Sequence, residues 1–221
     1  MRRALGWLGV ALLALPALAV AASGDELFAH PLTPAQVQAA LHAAMPDRGE
    51  VQVLRGHFSQ RKFLREIPNA LTSQGEFLLV RDRGIWWHTR IPLDSAMTLT
   101  PQGVHQDDAG APQNSVRNGG HAAAASMFFA LFALDLETLA RRFDLFFMGP
   151  AAAPKKQWVL GLRPRDAAVA TWFSRAILRG DQRVEQVTLF EPGGDRTEID
   201  LQATALPLSS LTLAERQRFE P

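Results

Sequence analysis

The sequence predicts an α+β chain, mostly β: an antiparallel sheet of short strands with helices laid over one face. Three observations predict it. Apolar and polar residues alternate in short runs separated by Gly, Pro and Asp turns, the pattern of a half-buried antiparallel sheet. Two blocks of such runs flank the segment 122–143, where the apolar spacing changes to that of helices. Near the start, one amphipathic helix precedes the first strand block.

The elements follow in order. Thr33 caps and Pro34 opens a helix at 34–45, with Val37, Leu41 and Met45 on one stripe and Pro46 ending it. Strands are expected at 51–63 and 70–81; in the second, Leu71, Phe77 and Leu79 share a face opposite Thr72, Gln74 and Glu76. Arg83-Gly84 turns the chain into a strand at 85–91 carrying Trp86 and Trp87, closed by Pro92. Met97 and Leu99 lead to the turn at 101–103, and Val104 starts the return. Residues 107–121 are polar and read as a loop. Residues 122–134 carry no charge and hold Met127, Phe128, Phe129, Leu131, Phe132 and Leu134; the run is too short to span a bilayer. Asp135 caps a second short helix with Leu136, Leu139, Ala140 and Phe143 on one face. Strands resume at 145–148, at 157–162 with Trp158, Leu160 and Leu162 on one side, at 171–178, at 184–190 and at 197–203. A short helix at 211–219, capped by Thr212, closes the chain.

Composition narrows the function. The chain has 221 residues and 47% hydrophobic side chains, enough for one packed domain. Its 23 basic side chains against 22 acidic ones offer no basic face for nucleic acid. With no cysteine, disulfides, thiol nucleophiles, zinc–thiolate sites and a cysteine-borne lipid anchor are excluded. Arg2 and Arg3, an uncharged stretch over 4–22 and the small residues Ala19-Val20-Ala21 read as a cleaved export signal over 1–22, leaving one domain over 23–221. The two arginines leave with it, so the mature chain is near neutral and expected to be a soluble exported protein, a monomer in the periplasm.

Catalytic signatures are scarce. There is no Gly-x-Ser-x-Gly elbow, phosphate loop or dinucleotide fingerprint. The six histidines are scattered over separate elements, so no metal site and no cofactor are expected. Asp107-Asp108 and Asp135/Glu137 are explained by loop solvation and helix capping. We expect no enzyme and no catalytic residues.

The surplus is apolar. A sheet with one polar face needs cover on the other, and 122–134 is more apolar than a surface helix requires. It reads either as a buried core helix or as a lid over an apolar cavity, the form that sites for lipid chains take.

Several motifs then occur in order. Phe58-Ser59-Gln60, Leu71-x-Ser73-x-Gly75-x-Phe77 and Trp87 before Pro92 are followed by Trp158-x-Leu160-x-Leu162-x-Pro164, Ile177-x-x-Gly180, Val187 and Gly194-Asp195-x-Thr197-x-Ile199. Over about 50–203 this resembles the LolA family of periplasmic lipoprotein carriers. The resemblance implies a half-open, curved antiparallel barrel under a helical lid. It implies a carrier that takes acylated lipoprotein, or another lipid cargo, from an inner-membrane transporter donor to an outer-membrane acceptor. The family's acceptor is anchored through a cysteine, so the resemblance favours the diffusing carrier. Cavity-wall residues would be Phe58, Phe77, Leu79, Trp87, Leu99, Trp158 and Leu160; lid residues would be Phe128, Phe129, Leu131, Phe132 and Leu136. The family's lid-switch arginine falls on Arg81, with Arg83 as the alternative, because the proline that usually follows it is Asp82 here. Other readings are a carrier of another envelope lipid (a glycolipid or polyketide-like lipid) and a periplasmic binding or scaffold module with a full core.

Overall fold

In the computed structural model the described residues are 24–46, 52–100, 103–108, 127, 130–151 and 157–220. The expected architecture is the one observed: a mostly β chain whose strands form a single open, curved antiparallel sheet with helices on its inner face. Five strands run outward from the middle: β1 (Val53–Phe63), β2 (Leu71–Val80), β3 (Gly84–Ile91), β4 (Ser95–Thr100) and β5 (Gly103–Asp108). Five more return from the far edge: β6 (Phe143–Met148), β7 (Trp158–Pro164), β8 (Arg175–Gly180), β9 (Val184–Phe190) and β10 (Arg196–Leu206). The two meanders join where β1 pairs with β10 over their full eleven residues, from Val53↔Leu206 to Phe63↔Arg196. The sheet order is therefore β5-β4-β3-β2-β1-β10-β9-β8-β7-β6.

Alternation sorts the side chains. On the inner face, Leu54, Phe58, Phe77, Leu79, Ile85 and Leu99 from the first meander meet Trp158, Leu160, Leu162, Leu178, Val187 and Ile199 from the second, in one continuous buried cluster. Helix α2 (Pro34–Ala44) covers one end of it. Its capping box at Thr33 and Gln36 satisfies the first free N–H groups, and Val37 and Leu41 face the sheet, both essentially inaccessible. Leu32, just before it, pairs with Leu145 and blunts the β6 edge. A helical turn at 130–133 and helix α3 (Leu136–Arg142) cover the centre.

The outer face is polar over most of its breadth but carries two apolar patches, each with its own cover. Helix α1 (Gly24–Leu27) and Phe28 lay Leu27 and Phe28 on Phe146, Val159 and Ile177. Helix α4 (Ala167–Ala170) connects β7 to β8, and helix α5 (Leu213–Gln217) follows a 3-10 turn at Leu208–Ser210. The C-terminal segment sets Leu211 and Phe219 on Val53, Leu78 and Val80.

Several expectations are corrected. Asp107 and Asp108 belong to β5, paired with Ala96 and Ser95, so the strand extends into residues that read as loop. The strand expected from 171 begins at Arg175, because Asp166 caps α4 and Thr171 closes its last turn on Ala167 and Val169. Phe143 opens β6 opposite Pro164, one residue beyond α3, and so does not extend that helix. Helix α1 was not expected; four residues carry too little periodicity to be read. The export signal, the polar stretch 109–121, and Phe128 and Phe129 lie outside the described residues. No helix among the described residues is long and apolar enough to cross a membrane.

Candidate functional site

The site is the inner face and the helical cover lying on it. Register places its aromatic residues side by side. Phe77 stands opposite Trp87 across β2 and β3, and Phe58 stands opposite Gly75 across β1 and β2. Gly75 has a local reason to be glycine: a Cβ there would lie 1.9 Å from the His88 carbonyl oxygen and 2.7 Å from Phe58 Cε1. The missing side chain lets the Phe58 ring lean over β2 and stack on Trp87, with centroids 3.8 Å apart and planes 25° from parallel. Phe77 also flanks Trp87, with centroids 6.0 Å apart.

The cover completes this stack. Leu134, at φ 53°, reverses the chain between the turn at 130–133 and Asp135, whose N–H returns to the Ala130 carbonyl. Asp135 then caps α3, its carboxylate accepting from the Thr138 N–H and hydroxyl at 3.2 and 2.6 Å. The bend turns Phe132 down onto the sheet, where its ring stacks on Trp87 at 5.6 Å and 27°. Leu131 and Leu136 on either side are also buried.

Among the described residues, three spaces stand out between cover and sheet. A cleft of about 500 Å³ lies at the α2 end, floored by Leu41, Met45, Leu54, Leu79, Phe132 and Leu136, with Arg81, Asp82, Asp135, Glu137 and Arg183 among its lining. A central cavity of about 130 Å³ is bounded by Gln60, Ile85, Trp87, Met97, Leu99, Phe132 and Ile199 and is almost wholly apolar. At the opposite end a mouth of about 470 Å³ runs over Met127, Leu131, Trp172, Phe173, Leu189 and Ile199, with Lys62 and Glu191 paired at 3.0 Å on its rim. Phe132 is the wall shared by the first two spaces; Gln60 and Ile199 are shared by the last two. Each end space has the volume of a small-molecule site, roughly 300–1,000 Å³, and the central one falls short of it.

The candidate residues read from the sequence divide accordingly. Phe58, Phe77 and Trp87 are brought into one stack with Phe132. Leu79 and Leu136 line the α2-end cleft, Leu99 the central cavity and Leu131 the far mouth. Trp158 and Leu160 are fully buried in the same core and do not line these three spaces; the Trp158 indole donates to the Asp181 carbonyl at 2.6 Å. Arg81 lies half-buried in the α2-end cleft beside Ala133 and Leu134, whereas Arg83 is exposed on the β2–β3 turn and lines none of these spaces. Sequence reading missed Ile85, Met97 and Ile199, although Ile85 and Met97 share a face with Trp87 and Leu99 by simple alternation. It also missed Arg183, which comes from the β8–β9 turn and has no local signal. Among the described residues, no three of His, Asp and Glu converge as metal ligands.

No protein-family model matches this sequence, and no curated protein matches it. Solved structures align with most of this chain. A LolA superfamily protein from Nitrosomonas europaea aligns over 80% of this chain and 97% of its own, at 10% identity and a TM-score of 0.42. A putative outer membrane lipoprotein-sorting protein domain from Vibrio parahaemolyticus aligns over 83% and 95%, at 10% identity and a TM-score of 0.44. MucB, from the MucA/MucB complex of Pseudomonas aeruginosa, aligns over 82% of this chain and 62% of its own, at 16% identity and a TM-score of 0.40.

Proposed function

We propose that this chain is a periplasmic carrier that holds acyl chains of lipoproteins between its inner sheet face and its helical cover, collecting them at one membrane and releasing them at another. The observation that carries the reading is the apolar inner face, on which a single aromatic side chain from the cover, Phe132, stands between the α2-end cleft and the central cavity. Burying each methylene contributes about 0.8 kcal/mol, so even part of one acyl chain supplies strong binding. Phe132 sets this against a competing contact. With its ring on Trp87 it occupies the path that a chain would take from the cleft to the far mouth, and the chain must displace it. Net affinity is then a difference between two apolar burials, which keeps release within reach of an acceptor with a better pocket. In this reading Arg81, which lines the cleft together with Ala133 and Leu134, senses the movement of the cover.

Donor and acceptor follow from the sequence resemblance: a transporter in the inner membrane and a receptor at the outer membrane. The absence of cysteine fits the diffusing partner in such a relay. Mass spectrometry of the lipid bound to protein recovered from its own export compartment tests the reading. Acylated lipoprotein in the bound fraction supports it. A non-protein lipid alone overturns the cargo while leaving an acyl carrier, and protein free of lipid that binds no acyl probe overturns both.

A further inference from the structure

The polar side chains that line the far mouth are engaged with one another or with the backbone, save one. Lys62 and Glu191 are paired at 3.0 Å, the Thr197 hydroxyl donates to Glu191 at 3.4 Å, and the Thr171 hydroxyl donates to the Ala168 carbonyl at 2.6 Å. Gln60 is the exception: among the described residues its carboxamide has no protein partner. Alternation along β1 puts it on the inner face with Phe58 and Lys62, in register with Ser73 on β2 and Ile199 on β10. It borders the far mouth and the central cavity at once, and the other side chains bounding that cavity are aliphatic or aromatic. While these spaces hold water, solvent serves the amide. A hydrocarbon that fills both of them strips the solvent away, and a carboxamide covered without a partner opposes binding. The occupant that suits this wall brings a hydrogen-bonding group to the point where its hydrocarbon ends.

We propose that Gln60 is a specificity-determining residue of the acyl site: its Nε2 donates to the ester or amide carbonyl that ends the chain. The head then sits in the far mouth, and the hydrocarbon runs through the central cavity toward Phe132. The proposal rests on the reading of the inner face as an acyl-chain site. It adds the direction in which the chain lies and the group by which an acyl chain is told from a plain alkyl chain.

The test is displacement of a fluorescent acyl probe from the full chain, below micelle formation, by 1-hexadecanoylglycerol, N-hexadecanoylethanolamine and 1-O-hexadecylglycerol. The last differs from the first only in a methylene where the carbonyl stood. One hydrogen bond should make at least one carbonyl compound bind about fivefold tighter than the ether. The tighter of the two tells a glyceryl ester from an acylated amine as the linkage read. Gln60→Leu should cut the preference below about twofold while ether binding holds or improves, because leucine adds apolar wall. Gln60→Glu, which keeps the acceptors and loses the donors, should bring the ester to or below the ether. Equal affinity for ester, amide and ether in the unaltered chain contradicts the proposal. So does a preference retained in Gln60→Leu, or a loss that weakens ester and ether alike, the mark of a structural role. Binding of all three ligands without preference sinks the role of Gln60 and leaves the acyl-chain reading standing; failure of all three to displace the probe sinks both.

Discussion

At the scale of the residue, Gly75 connects sequence to site most directly. It belongs to a motif read from the sequence, and the structure supplies its reason: the His88 carbonyl of β3 and the Phe58 ring occupy the space a side chain would need, at the point where the β2–β3 register shifts. Gly75→Ala should therefore push the β3 backbone at His88 away from β2 and Phe58 off Trp87. We expect a loss of about 1–3 kcal/mol in urea unfolding, typical of overpacking, together with a weakened near-ultraviolet tryptophan signal. Unchanged stability with an unchanged signal would show that the stack does not depend on this glycine. Arg81 and Arg83 make the opposite point. Spacing along the chain could nominate both, but only the turn geometry separates them, with Asp82 at φ 62° between a half-buried arginine and an exposed one.

At the scale of the element, two pieces carry separable roles. The turn at 130–133 exists to position Phe132. If Phe132 competes with an acyl chain for Trp87, then Phe132→Ala should strengthen binding of a fluorescent acyl probe by roughly tenfold, the worth of part of a phenyl burial. Phe132→Trp should weaken it. The same Phe132→Ala chain should lose about 3 kcal/mol of stability, so affinity and stability move in opposite directions. Weakened binding in the alanine variant would make Phe132 a wall and not a competitor.

Helix α5 is an anchor on the outer face. Burial alone would raise the Glu215 carboxyl, but hydrogen bonds from the Thr212 backbone and hydroxyl, and the Arg55 guanidinium 2.8 Å away, hold it below the ordinary carboxylate range. A depressed folded-state value gives stability that is fully present above the unfolded value of about 4.3 and is lost as pH falls through the folded one. Glu215→Ala should cost about 1 kcal/mol at neutral pH, the usual worth of a cap. The difference from the parent chain should narrow as pH falls below the unfolded value and close once pH has passed the lower folded-state value, where the parent's carboxylate is protonated. A gap independent of pH would place the effect in packing.

At the scale of the whole molecule, the sheet was legible strand by strand and its closure was not. Alternation and turn residues mark β2, β3, β7 and β9 closely, because each half-buried strand writes its own period. The β1–β10 pairing that fuses the two meanders joins residues more than a hundred positions apart, and local period carries no record of it. The inner-face residues were legible for the same reason as the strands. Which of them border open space was not, since Trp158 and Leu79 look alike in sequence and differ only in what stands across from them. The cover at Leu27 and Phe28, with Phe28 on Phe146, was likewise hidden in a segment too short for a period, whereas the helix capped by Thr212 was legible and only its seat beside Val53 was not. The result is a sheet whose outer face has two covered apolar patches while its inner face, among the described residues, keeps spaces under a helical cover.

The central claim is that an acyl chain enters those inner spaces. Photolabelling with a hexadecanoic acid bearing a terminal diazirine, followed by peptide mapping, tests it most directly. The account requires saturable labelling of residues around Trp87, Met97, Phe132 and Ile199, competed by unlabelled acid. Labelling confined to outer-face apolar residues such as Leu208 and Leu213, or labelling that does not saturate, would contradict it.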